Sequence, residues 1–160
     1  MSEYVIPIPE EQKGPLVQQM LATFWVSTVL GFIKQAGTEE SMQIMGPMME
    51  NIGRSKAESM LRVMPPLEDN ALGFAAWTNT WEELMGIEGR IIEASPERVV
   101  KVVDKCPLAE GGARPVMCEL LSCSLKGAGS VISPGFIFYT THTITQGDKQ
   151  CRWVIEHKKG

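Results

Sequence analysis

Apolar side chains recur from Pro15 onward at Leu16, Met20, Phe24 and Phe32, with Thr28 completing the row and Leu21, Trp25 and Val29 beside it. This spacing predicts an amphipathic helix that starts at Pro15, a favourable first helical residue, and stops at Gly37. Thr38 caps a second helical region, which Gly46-Pro47 should break or kink. The pattern resumes through Met48, Met49, Ile52, Met60, Leu61 and Met64 until Pro65-Pro66. A third helix is expected from about Asp69 to Leu84, carrying Leu72, Trp77 and Trp81.

The period then changes. Residues 90–94 and 98–103 are runs rich in β-branched side chains around Ser95-Pro96-Glu97, and read as a hairpin. Residues 106–115 read as a loop, 116–126 as a short helix and 127–135 as a further loop. Residues 136–145 and 150–157 read as strands joined across Gly147-Asp148. The expected fold class is therefore α+β: an N-terminal helical half, then an antiparallel sheet of hairpins with an inserted helix. Residues 1–14 read as an extended arm, since Pro7 and Pro9 oppose a helix there, and 15–160 as one domain.

If Gly147-Asp148 are the central pair of a tight turn, Ile144 faces Cys151, His142 faces Trp153 and Thr140 faces Ile155. Phe136, Phe138, Thr140, His142 and Ile144 then share an inward face with Cys151, Trp153 and Ile155. His142 and Cys151 become diagonal neighbours, with α-carbons on the order of 7 Å apart.

Composition narrows the classes. The 160-residue chain has the hydrophobic (44%) and charged (21%) fractions of a globular protein. Its net charge of −4 and lack of a Lys/Arg stripe argue against nucleic acid. The N-terminus lacks the basic and apolar regions of a signal peptide, and Met20 to Ile33 is too short to span a bilayer. The expected location is cytoplasmic, with no membrane partner. The four cysteines, Cys106, Cys118, Cys123 and Cys151, are then expected as reduced thiols.

The candidate chemistry lies in the C-terminal third. A thiolate nucleophile needs a base or a helix N-terminus. Cys106, in a loop, and Cys118, in the first turn of the 116–126 helix where the dipole would lower its pKa, are candidates, with His142 as proton carrier. Alternatively, Cys106, Cys118, His142 and Cys151 are four potential zinc ligands from a loop, a helix and two strands, though no CxxC pair is present. The same cysteines are also suited to packing as small buried apolar groups. Met49, Trp77, Trp81, Phe138, Cys151 and Trp153 are candidates to line a pocket for a flat or apolar small molecule. Glu82 and Glu83 read as members of a solvated face. No P-loop, GxGxxG, HExxH or GxSxG occurs.

Cys106-Pro107 after a valine-rich strand, Cys118 after a Gly-rich loop, Ser133-Pro134 opening a strand, and Gly147-Asp148-Lys149-Gln150-Cys151-Arg152-Trp153 form a combination. With the upstream Gly37-Thr38-Glu39-Glu40 and Gly53, it resembles the L-2-amino-thiazoline-4-carboxylic acid hydrolase-like family over most of residues 15–157. The closing G-D-x-x-C element is also similar to vinyl-reductase-like domains, which bind small hydrophobic molecules and sometimes carry zinc. The resemblance implies hydrolysis of a C–N bond in a small cyclic amidine-type substrate at a cysteine-containing site. Cys106, Cys118 and Cys151 occupy the matching positions, with Asp148 in the signature; Arg54, Arg62 and Arg90 are candidates for a substrate carboxylate. The other expectations are a non-catalytic binding domain for a hydrophobic or aromatic small molecule, and an accessory subunit or homo-oligomer docking through the N-terminal arm.

Overall fold

A computed structural model describes residues 9–158. The helical half comprises α1 (Glu10–Ala36), α2 (Thr38–Leu61) and α3 (Ala71–Leu84). Then follow strands β1 (Glu88–Ala94) and β2 (Arg98–Lys105), the one-turn helix α4 (Pro107–Glu110), α5 (Pro115–Ile132), β3 (Phe136–His142) and β4 (Cys151–His157). All pairings in the four-stranded sheet, in the order β1-β2-β4-β3, are antiparallel. The expected α+β architecture, helices first and an inserted helix between hairpin strands, is the one observed.

Helix α1 starts five residues before Pro15. Residues 10–14, expected in an extended arm, are helical, and residues 1–8 of that arm lie outside the described residues. Early in the helix Pro15 forfeits only one backbone bond, and Glu10 and Glu11 favour the positive end of the dipole. At 27 residues, α1 is long and apolar enough to cross a membrane by length and composition, contrary to the reading of Met20–Ile33 as too short. Its inward face is Ala22, Val26, Val29 and Ile33, whereas Met20 and Phe24, expected on the apolar stripe, are 63% and 71% exposed.

Helix α2 runs unbroken through Pro47. It lies against α5, where glycines let the two backbones meet. A β-carbon at Gly53 would fall on the Ser124 carbonyl, and one at Gly127 on the Glu50 carbonyl. The same demand explains why α5 continues to Ile132 through glycines expected to end it. Gly127 and Gly129 act here as contact residues, not as breakers.

Asn70 caps α3, its side-chain oxygen accepting from the backbone N–H groups of Leu72 (2.9 Å) and Gly73 (3.0 Å). Ser133 Oγ donates to the Asn70 carbonyl at 3.1 Å, tying the end of α5 to the start of α3. One core cluster lies between α3, α5 and the sheet, around Phe74, Trp77, Val99, Trp153 and Ile155. A second joins α1, α2, α4 and α5 around Val29, Met49, Met117 and Leu120.

The β3–β4 register departs from the tight-turn expectation. Thr140 pairs with Trp153 and Phe138 with Ile155, two residues along from the expected partners. A slip of two preserves the inward face. An irregularity after Thr140 then turns His142 against Arg152. The connection is a 3-10 turn (Ile144–Gln146) closed by Gly147 at φ 99°, with Thr143 N–H donating to Asp148 Oδ2 at 2.8 Å.

Candidate active site

A cavity of about 70 Å³ opens where α3, α5, β3 and β4 meet. Its walls are mostly apolar, including Trp81, Met117, Leu121, Phe138 and Trp153. The polar groups that reach it are Glu82, Ser122, Thr140, Thr143, Thr145 and three thiols, Cys106, Cys118 and Cys151. It is the size of a compact molecule, well below the range of drug-sized sites.

Each thiol arrives from a different element. Cys106 ends the run leaving β2 and precedes α4, Cys118 is the fourth residue of α5, and Cys151 opens β4. Cys118 Sγ lies 3.2 Å from Thr145 Oγ1, and Cys151 Sγ accepts from the Ile144 N–H at 3.3 Å. Burial pushes all three thiols above the ordinary cysteine range. At Cys106 the backbone N–H groups of Ala109 and Leu108 pull the other way, and the nearby Glu82 charge adds to the rise. The Cys118 pKa is thus raised, not lowered as expected from the helix terminus: burial pushes it up, and the Thr145 hydrogen bond only partly opposes the rise.

His142 is not among these groups. The strand irregularity leaves it exposed, 3.0 Å from Thr141 Oγ1, and it does not line the cavity. Among the described residues no three His, Cys, Asp or Glu side chains are grouped to hold a metal ion, so the zinc set Cys106, Cys118, His142 and Cys151 is not assembled. Of the expected pocket residues, Trp81, Phe138, Cys151 and Trp153 line the cavity. Trp77 is wholly buried and does not line it, and Met49 lines another groove among the helices. Arg54, Arg62 and Arg90 all lie away from the cavity, Arg90 exposed and paired with Asp104.

Glu82 is the residue that sequence reasoning misplaced. Only 4% exposed, it pairs with Lys101 and accepts from Trp153 Nε1 at 3.0 Å. Lys101 also donates to Asn79 Oδ1 at 2.7 Å. Burial raises the Glu82 pKa, and the Lys101 and Trp153 hydrogen bonds partly oppose the rise. The signal was available: Phe74, Thr78 and Glu82 follow one another at four-residue intervals on one face of α3, and the first two are apolar or internally bonded.

The family model for L-2-amino-thiazoline-4-carboxylic acid hydrolase matches residues 18–154. No curated protein matches the sequence. Among solved structures, the chain is similar to the phenol-responsive sensory domain of the transcription activator PoxR with phenol. The TM-score is 0.66 at 11% identity, covering 85% of this chain and 74% of that one. It is also similar to trafficking protein particle complex subunit 3 from Naegleria fowleri, covalently bound to palmitic acid. There the TM-score is 0.59 at 13% identity, covering 91% and 97%. At these identities the likeness is one of fold.

Proposed function

The chain belongs to the L-2-amino-thiazoline-4-carboxylic acid hydrolase family, and on that premise we propose that it opens a C–N bond of a small cyclic amidine inside the α3–α5–β4 cavity. The observation that carries this reading is the buried Glu82 carboxylate lining the same cavity as Cys106. An amidine presents N–H donors and often a positive charge, and each Glu82 oxygen, already accepting once from Lys101 or Trp153, keeps a second lone pair to receive such a donor. A carboxylate of raised basicity is also the nearest substitute for the imidazole the cavity lacks.

Cys106 is the nucleophile in this reading. Its sulfur faces two backbone N–H groups that favour the thiolate, and its proton leaves toward Glu82. Sulfur bonds to the amidine carbon as the C=N pair moves onto nitrogen, which takes up the proton. The ring C–N bond then breaks as the other amidine nitrogen re-forms a C=N bond to the carbon and gives up a proton, and the departing ring nitrogen takes the electron pair and that proton. Water adds to the same carbon and expels the thiol, restoring Cys106 S–H. No arginine lines the cavity to meet a carboxylate, so the favoured substrates are amidines without one.

The second reading, a binding domain for an apolar small molecule, is favoured by the raised thiol pKa values and the mostly apolar walls. The test is to incubate the protein with 2-amino-thiazoline-4-carboxylic acid and with carboxylate-free cyclic amidines, following ring opening by mass spectrometry. Turnover that Cys106→Ser and Glu82→Gln abolish, with folding retained, supports hydrolysis. Absence of ring opening, together with an apolar ligand retained in native mass spectrometry, supports the binding domain instead.

A further inference from the structure

A second recess, of about 280 Å³, lies on the other side of Trp81. It is a groove among α1, α2 and the end of α3, walled by Leu21, Phe24, Trp25, Met49, Ile52 and Met85. Among the described residues, Lys56 is the only titratable side chain in its lining. The ammonium rests 3.9 Å from the centroid of the Trp81 ring and 5.3 Å from that of Trp77. Among the described residues it has no ion pair and no hydrogen bond to an acceptor. The Trp77 indole N–H is likewise buried without an acceptor. Among the described residues, neither of these two donors has an acceptor.

A lone cation at the head of an apolar groove is complementary to a ligand with one negative charge and a hydrocarbon body. We propose that this groove binds an apolar monocarboxylate, its carboxylate on Lys56 and its hydrocarbon against Leu21, Phe24 and Trp25. Desolvation lowers the Lys56 pKa to about 8, which a bound anion would reverse. The ring faces of Trp77 and Trp81 hold the ammonium in place before the ligand arrives, which limits the ordering cost. The groove shares Trp81, Leu108 and Leu121 as walls with the thiol-lined cavity, but its Lys56 end does not line that cavity and the proposal does not rest on the hydrolase reading.

Octanoate and 1-octanol, which share a chain and differ in charge, test this on the full protein by isothermal titration. The expected result is saturable octanoate binding at least about tenfold tighter than 1-octanol, since a charge-assisted contact is worth that or more. Lys56→Met should remove that preference and Lys56→Arg should retain it. In wild-type protein carrying 13C-dimethylated lysines, saturating octanoate should move the Lys56 titration to higher pH. Equal affinity for octanol, octanoate binding unchanged in Lys56→Met, or an unmoved Lys56 titration would overturn the proposal. So would a dimer, seen by sedimentation, that covers the α1 face and shuts octanoate out.

Discussion

Glu82 on α3 and Lys101 on β2 are paired while each is almost wholly buried, at 4% exposure. Both charges have left water, and each is tolerated because the other is present. Lys101→Met should therefore cost about 3–5 kcal/mol, because it strands a carboxylate in the core. Glu82→Leu combined with Lys101→Met should recover most of that loss. Urea unfolding at neutral pH measures both. A single variant as stable as wild type would mean the pair is solvated.

The three cavity thiols should be slow nucleophiles toward iodoacetamide at neutral pH, because burial keeps them protonated. Their rates should climb as pH passes above the ordinary thiol range, and unfolding in urea should raise them sharply at fixed pH. Peptide mapping after timed alkylation follows each thiol separately. Fast labelling of Cys106 at pH 7 in the folded protein would mean that its backbone N–H partners outweigh burial and hold it as a thiolate.

Helix and strand periods in the sequence were enough to anticipate the class, the order of elements and the inward face of β3 and β4. They failed where tertiary contact reassigned a residue's local meaning. Gly127 reads as a breaker until the Glu50 backbone lies against it. Glu82 reads as solvated until Lys101 and Trp153 meet it from the sheet. His142 reads as inward by alternation, and one irregularity after Thr140 turns it out. Cys106, Cys118 and Cys151 stood together in the sequence only through the family resemblance, and their protonation depends on burial that no spacing encodes.

The α2–α5 contact should tolerate no side chain. Gly53→Ala and Gly127→Ala each drive a methyl into a backbone carbonyl of the facing helix, so the helices must separate. A cost of about 1–3 kcal/mol or more is expected for each. Gly14→Ala, at a position with open space around it, should be neutral or slightly stabilising. Thermal unfolding of the three variants distinguishes a packing requirement from mere glycine content.

Exposed His142 should be dispensable. His142→Gln should leave urea stability within about 0.5 kcal/mol of wild type, as for other surface changes. It should also leave any ring-opening activity unaltered at fixed pH. A loss of turnover of tenfold or more, with KM unchanged, would return the imidazole to the reaction and require β3 to rearrange around substrate.

Lys56 makes a prediction about pH whose sign is fixed by the direction of its shift. Its pKa in the folded state is about 8, against 10.5 for the ordinary amine. Below pH 8 the amine is charged whether the chain is folded or not, and its full desolvation penalty weighs on the native state. Between about pH 8 and 10.5 the folded protein releases the proton while the unfolded chain keeps it, so the penalty is progressively relieved. Lys56→Met, which removes the charge and keeps the apolar stem, should thus be more stable than wild type at pH 7, by about 1–3 kcal/mol. That advantage should shrink steadily as pH rises toward 10. Comparing variant with wild type at each pH isolates Lys56 from the buried thiols, whose raised pKa values lower stability above the ordinary thiol range in both proteins. A gap between the two urea midpoints that stayed constant from pH 7 to 10 would show that the Lys56 ammonium is not desolvated.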